Sequence, residues 1–178
     1  MSNKNMLIGL ISAISNNGWI GMGGKLPWEY TGKRLEGDLP RFKKITTGNG
    51  NNAVIFGRTT LESFGNKALP DRVNVVLSRD KNYKPPENVI CYQSYDEAID
   101  ALRDLGIDEV WICGGASVYA QALARGINRA TIMILTKVRT DYEGDVAFPK
   151  YNENEWSTRD TQAFPNLGYN VITLGLMT

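Results

Sequence analysis

Histidine is absent from the 178 residues of this chain. That absence removes Ser-His-Asp catalysis, histidine-ligated zinc and histidine proton shuttles together. Acid–base chemistry must then use a carboxylate, a tyrosine, a lysine or water. Charge of one sign is equally scarce: 20 Lys plus Arg stand against 19 Asp plus Glu, a net of +1. This balance gives no general attraction to nucleic acid or to an anionic membrane. No apolar run reaches membrane-spanning length, and no secretory hydrophobic region follows Met1-Ser2-Asn3-Lys4-Asn5. Cys91 and Cys113, the two cysteines, each lie inside an apolar strand-like segment, where buried thiols are expected rather than a disulfide. The expectation is a cytoplasmic protein with no nucleic-acid or membrane partner and no obligate protein partner, working as a monomer.

What is present suits one domain spanning 1–178, long enough to bury roughly 70% of its extended-chain surface. Hydrophobic residues make up 42%, too many for a disordered chain. Leu7 to Ile14, Ala53 to Phe56, Val73 to Leu77, Val89 to Tyr92 and Glu109 to Cys113 read as apolar strands. Helical patterns lie between several of them, which predicts α/β organisation around a mainly parallel sheet. Ser94-Tyr95-Asp96-Glu97 is a capping box, and Gly106 marks the stop of the helix that it starts. Another helix follows Gly114-Gly115 and ends near Gly126. Thr131 to Val138 and Tyr169 to Leu176 read as late strands, able to pair antiparallel because no crossover helix separates them. Ser15 to Gly37, rich in glycine and without periodicity, has the character of a lid or ligand loop.

Asp38 can begin a helix containing Leu39, Phe42 and Ile45, whose spacing puts the carboxylate on a side shared with apolar atoms. A buried acid needs a partner. No basic residue of this stretch obviously supplies one on that face, so a cationic or amidine-like ligand enters as an alternative to a first-turn acid. A carboxylate so placed can accept two parallel hydrogen bonds from a planar N–C–N edge. Leu26-Pro27-Trp28 reads as loop anchoring or as a wall that positions water; the Trp28 indole has one donor and cannot serve as a base.

Three strand ends carry candidate phosphate seats. Gly57-Arg58-Thr59-Thr60 follows a strand and opens a helix, Leu77-Ser78-Arg79 ends another strand, and Cys113-Gly114-Gly115-Ala116-Ser117 precedes a second helix with Val118 and Tyr119. A series of three suggests a dinucleotide laid across strand ends, although neither the full Walker loop nor the full Rossmann pattern is present. Arg72 either faces solvent or binds a substrate carboxylate through its planar fork.

Taken in order, these residues resemble the dihydrofolate reductase family. The resemblance runs through Leu7–Ala13, Ile20-Gly21-Met22, Leu26-Pro27-Trp28, Asp38-Leu39, Phe42-Lys43 and Thr46, and continues through Gly57–Thr60, Glu62-Ser63, Leu69-Pro70, Arg72, Leu77-Ser78-Arg79, Cys113-Gly114-Gly115, Val118-Tyr119, Glu143-Gly144-Asp145 and Phe148-Pro149. It implies a central eight-stranded mixed, mostly parallel sheet flanked by helices, and NADPH-dependent reduction of 7,8-dihydrofolate. It also implies roles. Asp38 would bind the pterin amino group and adjacent ring nitrogen, Trp28 would order water nearby, and Thr136 would support the aspartate. Ile11, Ser12, Ala13, Leu39 and Phe42 would line the folate cavity, with Arg72 on the glutamate tail. Ala13 and Ile20 would approach the nicotinamide, with Tyr119 near its ribose. Gly57, Arg58, Thr59, Thr60, Leu77, Ser78, Arg79 and the turn from Cys113 to Val118 would hold the rest of NADPH. No metal is implied.

Four departures from the family pattern stand out. Ser12 replaces a more usual alanine, and Thr59 and Ser117 occupy positions that are often basic, which removes possible phosphate contacts. Glu29 to Gly37 is longer than in compact bacterial members. A related pterin or pyrimidine reductase would lack the combined Asp38, Phe42 and Arg72 pattern. A noncatalytic folate- or nucleotide-binding module would bind without oxidising NADPH.

Overall fold

Leu7–Ile14 (β1) is apolar on both faces, and only Leu7 and Ala13 in it are even partly exposed. A strand of that kind belongs in the middle of a sheet covered on both sides. In the computed structural model, which describes residues 5–178, β1 is central. Met1–Lys4, where no secretory segment was expected, lie outside the described residues.

The chain continues through β2 (Trp19–Gly21), α1 (Pro27–Tyr30), α2 (Asp38–Thr47), β3 (Asn52–Gly57), α3 (Arg58–Ser63), β4 (Val73–Leu77), β5 (Val89–Tyr92) and α4 (Tyr95–Asp104). Then come β6 (Glu109–Ile112), α5 (Ala116–Leu123), β7 (Ile132–Val138), β8 (Val146–Ala147), β9 (Trp156–Phe164) and β10 (Tyr169–Leu176). Eight strands form one sheet in the order β5-β4-β3-β6-β1-β7-β10-β9, and β2 pairs with β8 separately. The first six strands of that order run parallel, and β10 is antiparallel to both neighbours. This is the mixed, mostly parallel α/β sheet expected from the strand pattern.

Alternation along the strands divides the apolar residues between the two faces. Ile8, Leu10 and Ile14 of β1 join Ala53 and Ile55 of β3 against Ile99 and Leu102 of α4 and Val118 and Ala122 of α5. Ile11, Val54 and Phe56 point to the opposite face, where Phe42 and Ile45 of α2 and Leu61 of α3 pack. Each large side chain buried this way contributes about 1.5–3 kcal/mol. A third cluster gathers Trp28, Val138, Tyr169 and Val171. α4 starts with Ser94 accepting from the Glu97 N–H and stops at Gly106, φ +73°, with Ile107 N–H bonded back to the Leu102 carbonyl. That ending leaves few orphan carbonyls.

Three expectations change. The polar section before β10 contains a nine-residue strand: β9 is an edge strand, largely exposed, and its Thr-Arg-Asp-Thr-Gln run suits a sheet margin that must resist pairing with other chains. Ser15 to Gly37 is partly ordered by backbone pairing, because β2 pairs with β8 and α1 begins at Pro27, whose missing N–H is harmless in a first turn. α5 stops at Leu123, short of Gly126. Among the described residues, no helix is long and apolar enough to cross a membrane.

Candidate active site

A cavity of about 370 Å³ opens where β1, β3 and β6 end. Open α/β sheets commonly bind ligands outside the carboxyl ends of their strands, where the strand order reverses. Here the chain runs outward from β3 to β5 and then returns to place β6 between β3 and β1. Ile11, Ser12 and Ala13 of β1 line one side, with Ile134 and Thr136 of β7 beside them.

Asp38 is the first residue of α2, entered through Gly37 at φ +81°, a conformation that favours glycine. Its side chain is 24% exposed. Thr136 Oγ1 donates to Asp38 Oδ1 at 2.7 Å, and Arg41 Nη1 lies 3.6 Å from the same oxygen. Burial pushes the Asp38 carboxyl above its ordinary range, while the Thr136 hydroxyl and the Arg41 charge pull the other way. Arg41 therefore corrects the expectation that no basic residue shares this face. It stands three residues on, where helical side chains are neighbours.

Phe42 stacks on Phe64, with ring centroids 5.8 Å apart. Leu39 lies at the cavity edge and is 63% exposed, so it does not share the burial of Phe42. Ile20 and Val146 contribute from the β2–β8 pair, whose position is tied by Gly23 N–H donating to Asp145 Oδ2 at 3.0 Å. The buried Tyr119 hydroxyl donates to the Ile11 carbonyl at 2.8 Å, and burial keeps it protonated. Cys113 is also buried, with its thiol pushed up by desolvation, which excludes a thiolate nucleophile.

The far wall is built from turns. Thr59 and Thr60 lie in the first turn of α3, and Cys113, Gly114 and Gly115 join β6 to α5. The two turns meet where Gly57 N–H donates to the Gly114 carbonyl at 2.7 Å. A Cβ on Gly115 would lie 3.2 Å from Thr60 Oγ1, so a side chain there would crowd the wall. Small residues and backbone N–H groups at helix starts suit a phosphate-bearing group.

Several residues singled out from the sequence do not line the cavity. Trp28 is 1% exposed and packs edge-on against Tyr142, with centroids 6.1 Å apart. Arg72 donates to Thr46 Oγ1 at 2.7 Å and to the Pro70 carbonyl at 2.9 Å, docking on the end of α2. Arg58 is bonded to Glu62 at 3.0 Å, reaches Asp80 at 3.5 Å and lies over the Tyr83 ring. Ser78 is buried and accepts from the Asp80 N–H, whereas Arg79 is exposed. Leu77 packs in the α4–α5 core, Val118 is buried against Gly57, and Ala116 and Ser117 form the first turn of α5.

The cavity also takes residues not anticipated: Lys25, Glu29, Arg41, Phe64, Ile134 and Val146. Ile134 was within reach, because it lies two residues from Thr136 on one strand face. The others depend on how loops return to the sheet. Among the described residues, no group of three or more Cys, Asp or Glu is arranged to hold a metal ion.

Comparison with known proteins bears directly on this arrangement. The family model described as dihydrofolate reductase matches residues 7–174. A dihydrofolate reductase of Haemophilus influenzae is 37% identical over 151 residues, covering 85% of this chain and 84% of that protein. Dihydrofolate reductase type 3 of Salmonella typhimurium is 37% identical over 160 residues, covering 90% and 89%. Dihydrofolate reductase HdrB of Haloferax volcanii is 34% identical over 158 residues, covering 85% and 75%. A solved structure of the Enterococcus faecalis dihydrofolate reductase, complexed with NADP(H) and RAB-propyl, superposes with a TM-score of 0.81 at 26% identity over 97% of each chain.

Proposed function

The chain belongs to the dihydrofolate reductase family, and from that membership we propose that its cleft binds 7,8-dihydrofolate beside NADPH and reduces it to 5,6,7,8-tetrahydrofolate. The observation that carries the reading is Asp38: one largely buried carboxylate in the cavity wall, with Thr136 donating to one oxygen and the other free of hydrogen bonds among the described residues.

The residues present fit the cofactor. The turn wall has little side-chain bulk where Gly115 approaches Thr60, and it opens onto the first turns of α3 and α5. Thr59, Thr60, Gly114 and Gly115 would hold the phosphate-bearing portion, while Ala13 and Ile20 would border the nicotinamide. When bound, the reduced nicotinamide supplies the hydride that C6 of the pteridine receives.

This chain's own residues do the rest. Asp38 accepts the 2-amino group and the adjacent ring N–H in two parallel bonds, which orients the pteridine. Thr136 fixes the carboxylate, and Ile11, Ala13, Phe42 and Phe64 exclude water around the ring. Because burial raises the Asp38 pKa, its carboxylate also favours positive charge on the ring as N5 gains a proton. Water delivers that proton. Tyr119 cannot, because its hydroxyl is committed to the Ile11 carbonyl. Arg72 would reach the α-carboxylate of the glutamate tail after releasing Thr46, and Trp28 would act from behind the wall by fixing α1. The cavity is complete within one chain, which supports a monomeric enzyme.

The test is oxidation of NADPH by the purified protein with dihydrofolate, with tetrahydrofolate identified by mass. Ligand-dependent binding without oxidation would overturn the reading. Ser78 and Arg79 would favour the extra phosphate that distinguishes NADPH from NADH, with Arg58 beside the phosphate-bearing portion; a parallel NADH assay measures that selectivity, and equal catalytic efficiency with the two cofactors would remove it.

A further inference from the structure

Arg41 is held from behind by aromatic rings. Its guanidinium carbon lies 4.7 Å from the Phe164 ring centroid and 5.4 Å from that of Tyr169. Nη2 donates to the Tyr169 hydroxyl at 3.4 Å, and that hydroxyl donates to the Glu36 carbonyl at 2.6 Å. Planar guanidinium groups stack on rings in this way, and the clamp from β9 and β10 leaves the side chain little freedom. The other end, Nη1, is buried with no hydrogen-bond partner among the described residues and stands 3.6 Å from Asp38 Oδ1.

That distance is too long for a hydrogen bond and short enough for strong charge coupling. Arg41 thus supplies positive potential without occupying the carboxylate's acceptor sites. Other groups around Asp38 do not duplicate it. Thr136, from β7, donates a neutral hydroxyl, and Tyr119, from α5, is protonated and turned to Ile11. Lys25 and Glu29 line the same cavity from the segment around α1, with opposite charges. Among the described residues, Arg41 is the cation within ion-pair distance of Asp38.

We propose that Arg41 is a positioning residue that partly compensates the charge of Asp38 and thereby reduces the advantage that a cationic aminopyrimidine ring has over a neutral one in this site. This rests on the reading of Asp38 as the ring-binding carboxylate. Arg41 opposes the pull of burial on the Asp38 proton, leaves the carboxylate's acceptor sites open to two N–H bonds and partly compensates its charge. A ring that must carry a proton to bind gains less from the compensated carboxylate. A ring that binds neutral depends on the hydrogen bonds and loses little.

The experiment is a ¹³C-carboxyl NMR titration of the unliganded protein, with the Asp38 resonance identified by its loss in Asp38→Asn. Removing an opposite charge at this range in Arg41→Gln moves the midpoint upward by about 1–3 pH units, whereas Arg41→Lys keeps most of the wild-type value. Binding is then compared for 2,4-diaminopyrimidine and 6-methylpterin. In Arg41→Gln the affinity ratio shifts toward the diaminopyrimidine by about tenfold, the equivalent of one pKa unit. Phe164→Leu, which loosens the clamp but keeps the charge, gives a smaller shift of the same sign and serves if Arg41→Gln folds poorly. An unmoved midpoint, or equal affinity changes for both rings, overturns the proposal. A protein that fails to reduce dihydrofolate would still show the midpoint shift, so the failure of each reading is separately visible.

Discussion

At the ring end of the cleft, Asp38 is 24% exposed, receives a 2.7 Å hydrogen bond from Thr136 and faces Arg41 across 3.6 Å. Where α3 begins, Arg58 is 47% exposed and bonded to Glu62 at 3.0 Å, with Asp80 at 3.5 Å. Both are charged groups with partners, but they present different tasks to an arriving ligand. The neighbours of Asp38 are donors, and its second oxygen is free of hydrogen bonds among the described residues, so a ring bearing two N–H groups completes the set. The neighbours of Arg58 are carboxylates, and a phosphate has to share the guanidinium with them or displace them. Exposed ion pairs of this kind are weak and screened by salt. Ring recognition is therefore preset by the hydrogen bond that ties Thr136 of β7 to the first residue of α2, whereas phosphate recognition depends on side chains that can rearrange in solvent.

The largest effect should come from the preset end. Asp38→Asn removes the charge that orients and polarises the pteridine, and the hydride-transfer rate at pH 7 should fall by about 10²–10⁴-fold, the range for a positioned acid–base group. Stopped-flow measurement with pre-bound NADPH isolates that step. A loss of only a few fold would mean that this end is no more decisive than the exposed one. Thr136→Val keeps the shape but removes the hydroxyl, leaving Oδ1 without its donor. Hydrogen bonds to charged groups contribute about 1.5–3 kcal/mol, so catalytic efficiency should drop at least roughly tenfold. The Asp38 titration midpoint should rise further in that variant, because a bond that lowers it has gone.

A smaller change is expected at the other end. Replacing Glu62 by Gln and Asp80 by Asn frees Arg58, and the NADPH-to-NADH ratio of catalytic efficiencies should rise about two- to fivefold, in keeping with the strength of exposed pairs. The gain should shrink at high salt. An unchanged ratio would show that Arg58 does not meet the cofactor phosphate, and the contrast between the two ends would lose its second term.

How far the chain could be read in advance follows the same contrast. β1, β4, β5 and β10 were legible to the residue, because their apolar runs are bounded by polar or turn-forming neighbours. Asp38 was legible because its helix places Phe42 four residues away. β9 was not: an edge strand is written in polar residues, and its Arg159 and Asp160 look like a loop until β10 pairs with them. Nor were β2 and β8, which pair Trp19 with Ala147 and Gly21 with Val146 from opposite ends of the chain. Arg41 stood within the spacing already used for Asp38. What hid it was the general rule that helix cations are solvated, and only the rings of Phe164 and Tyr169, far along the chain, hold this one in. Arg58 likewise read as a phosphate donor, because Asp80 lies 22 residues away and no local pattern announces it.

The smallest predicted effect concerns stability. In the folded chain Asp38 holds its proton more tightly than in the unfolded chain, where its pKa is near 3.8, because burial outweighs Thr136 and Arg41. The folded state then binds more protons than the unfolded one between those two pKa values. Stability must fall as pH rises through that window, and above it the ionised carboxylate imposes a constant cost. Asparagine carries no charge and can still accept the Thr136 hydroxyl. Unliganded Asp38→Asn should therefore match wild type near pH 3 and melt higher at pH 7, by about 2–4 °C for each kcal/mol relieved in a chain of this size. Calorimetry across pH 3–8 reads the difference directly. If the variant instead melts lower at neutral pH, the pull of Arg41 and Thr136 exceeds the burial cost, and Asp38 would be held by net-favourable pairing, as Arg58 is, rather than retained at a cost to stability for what it binds.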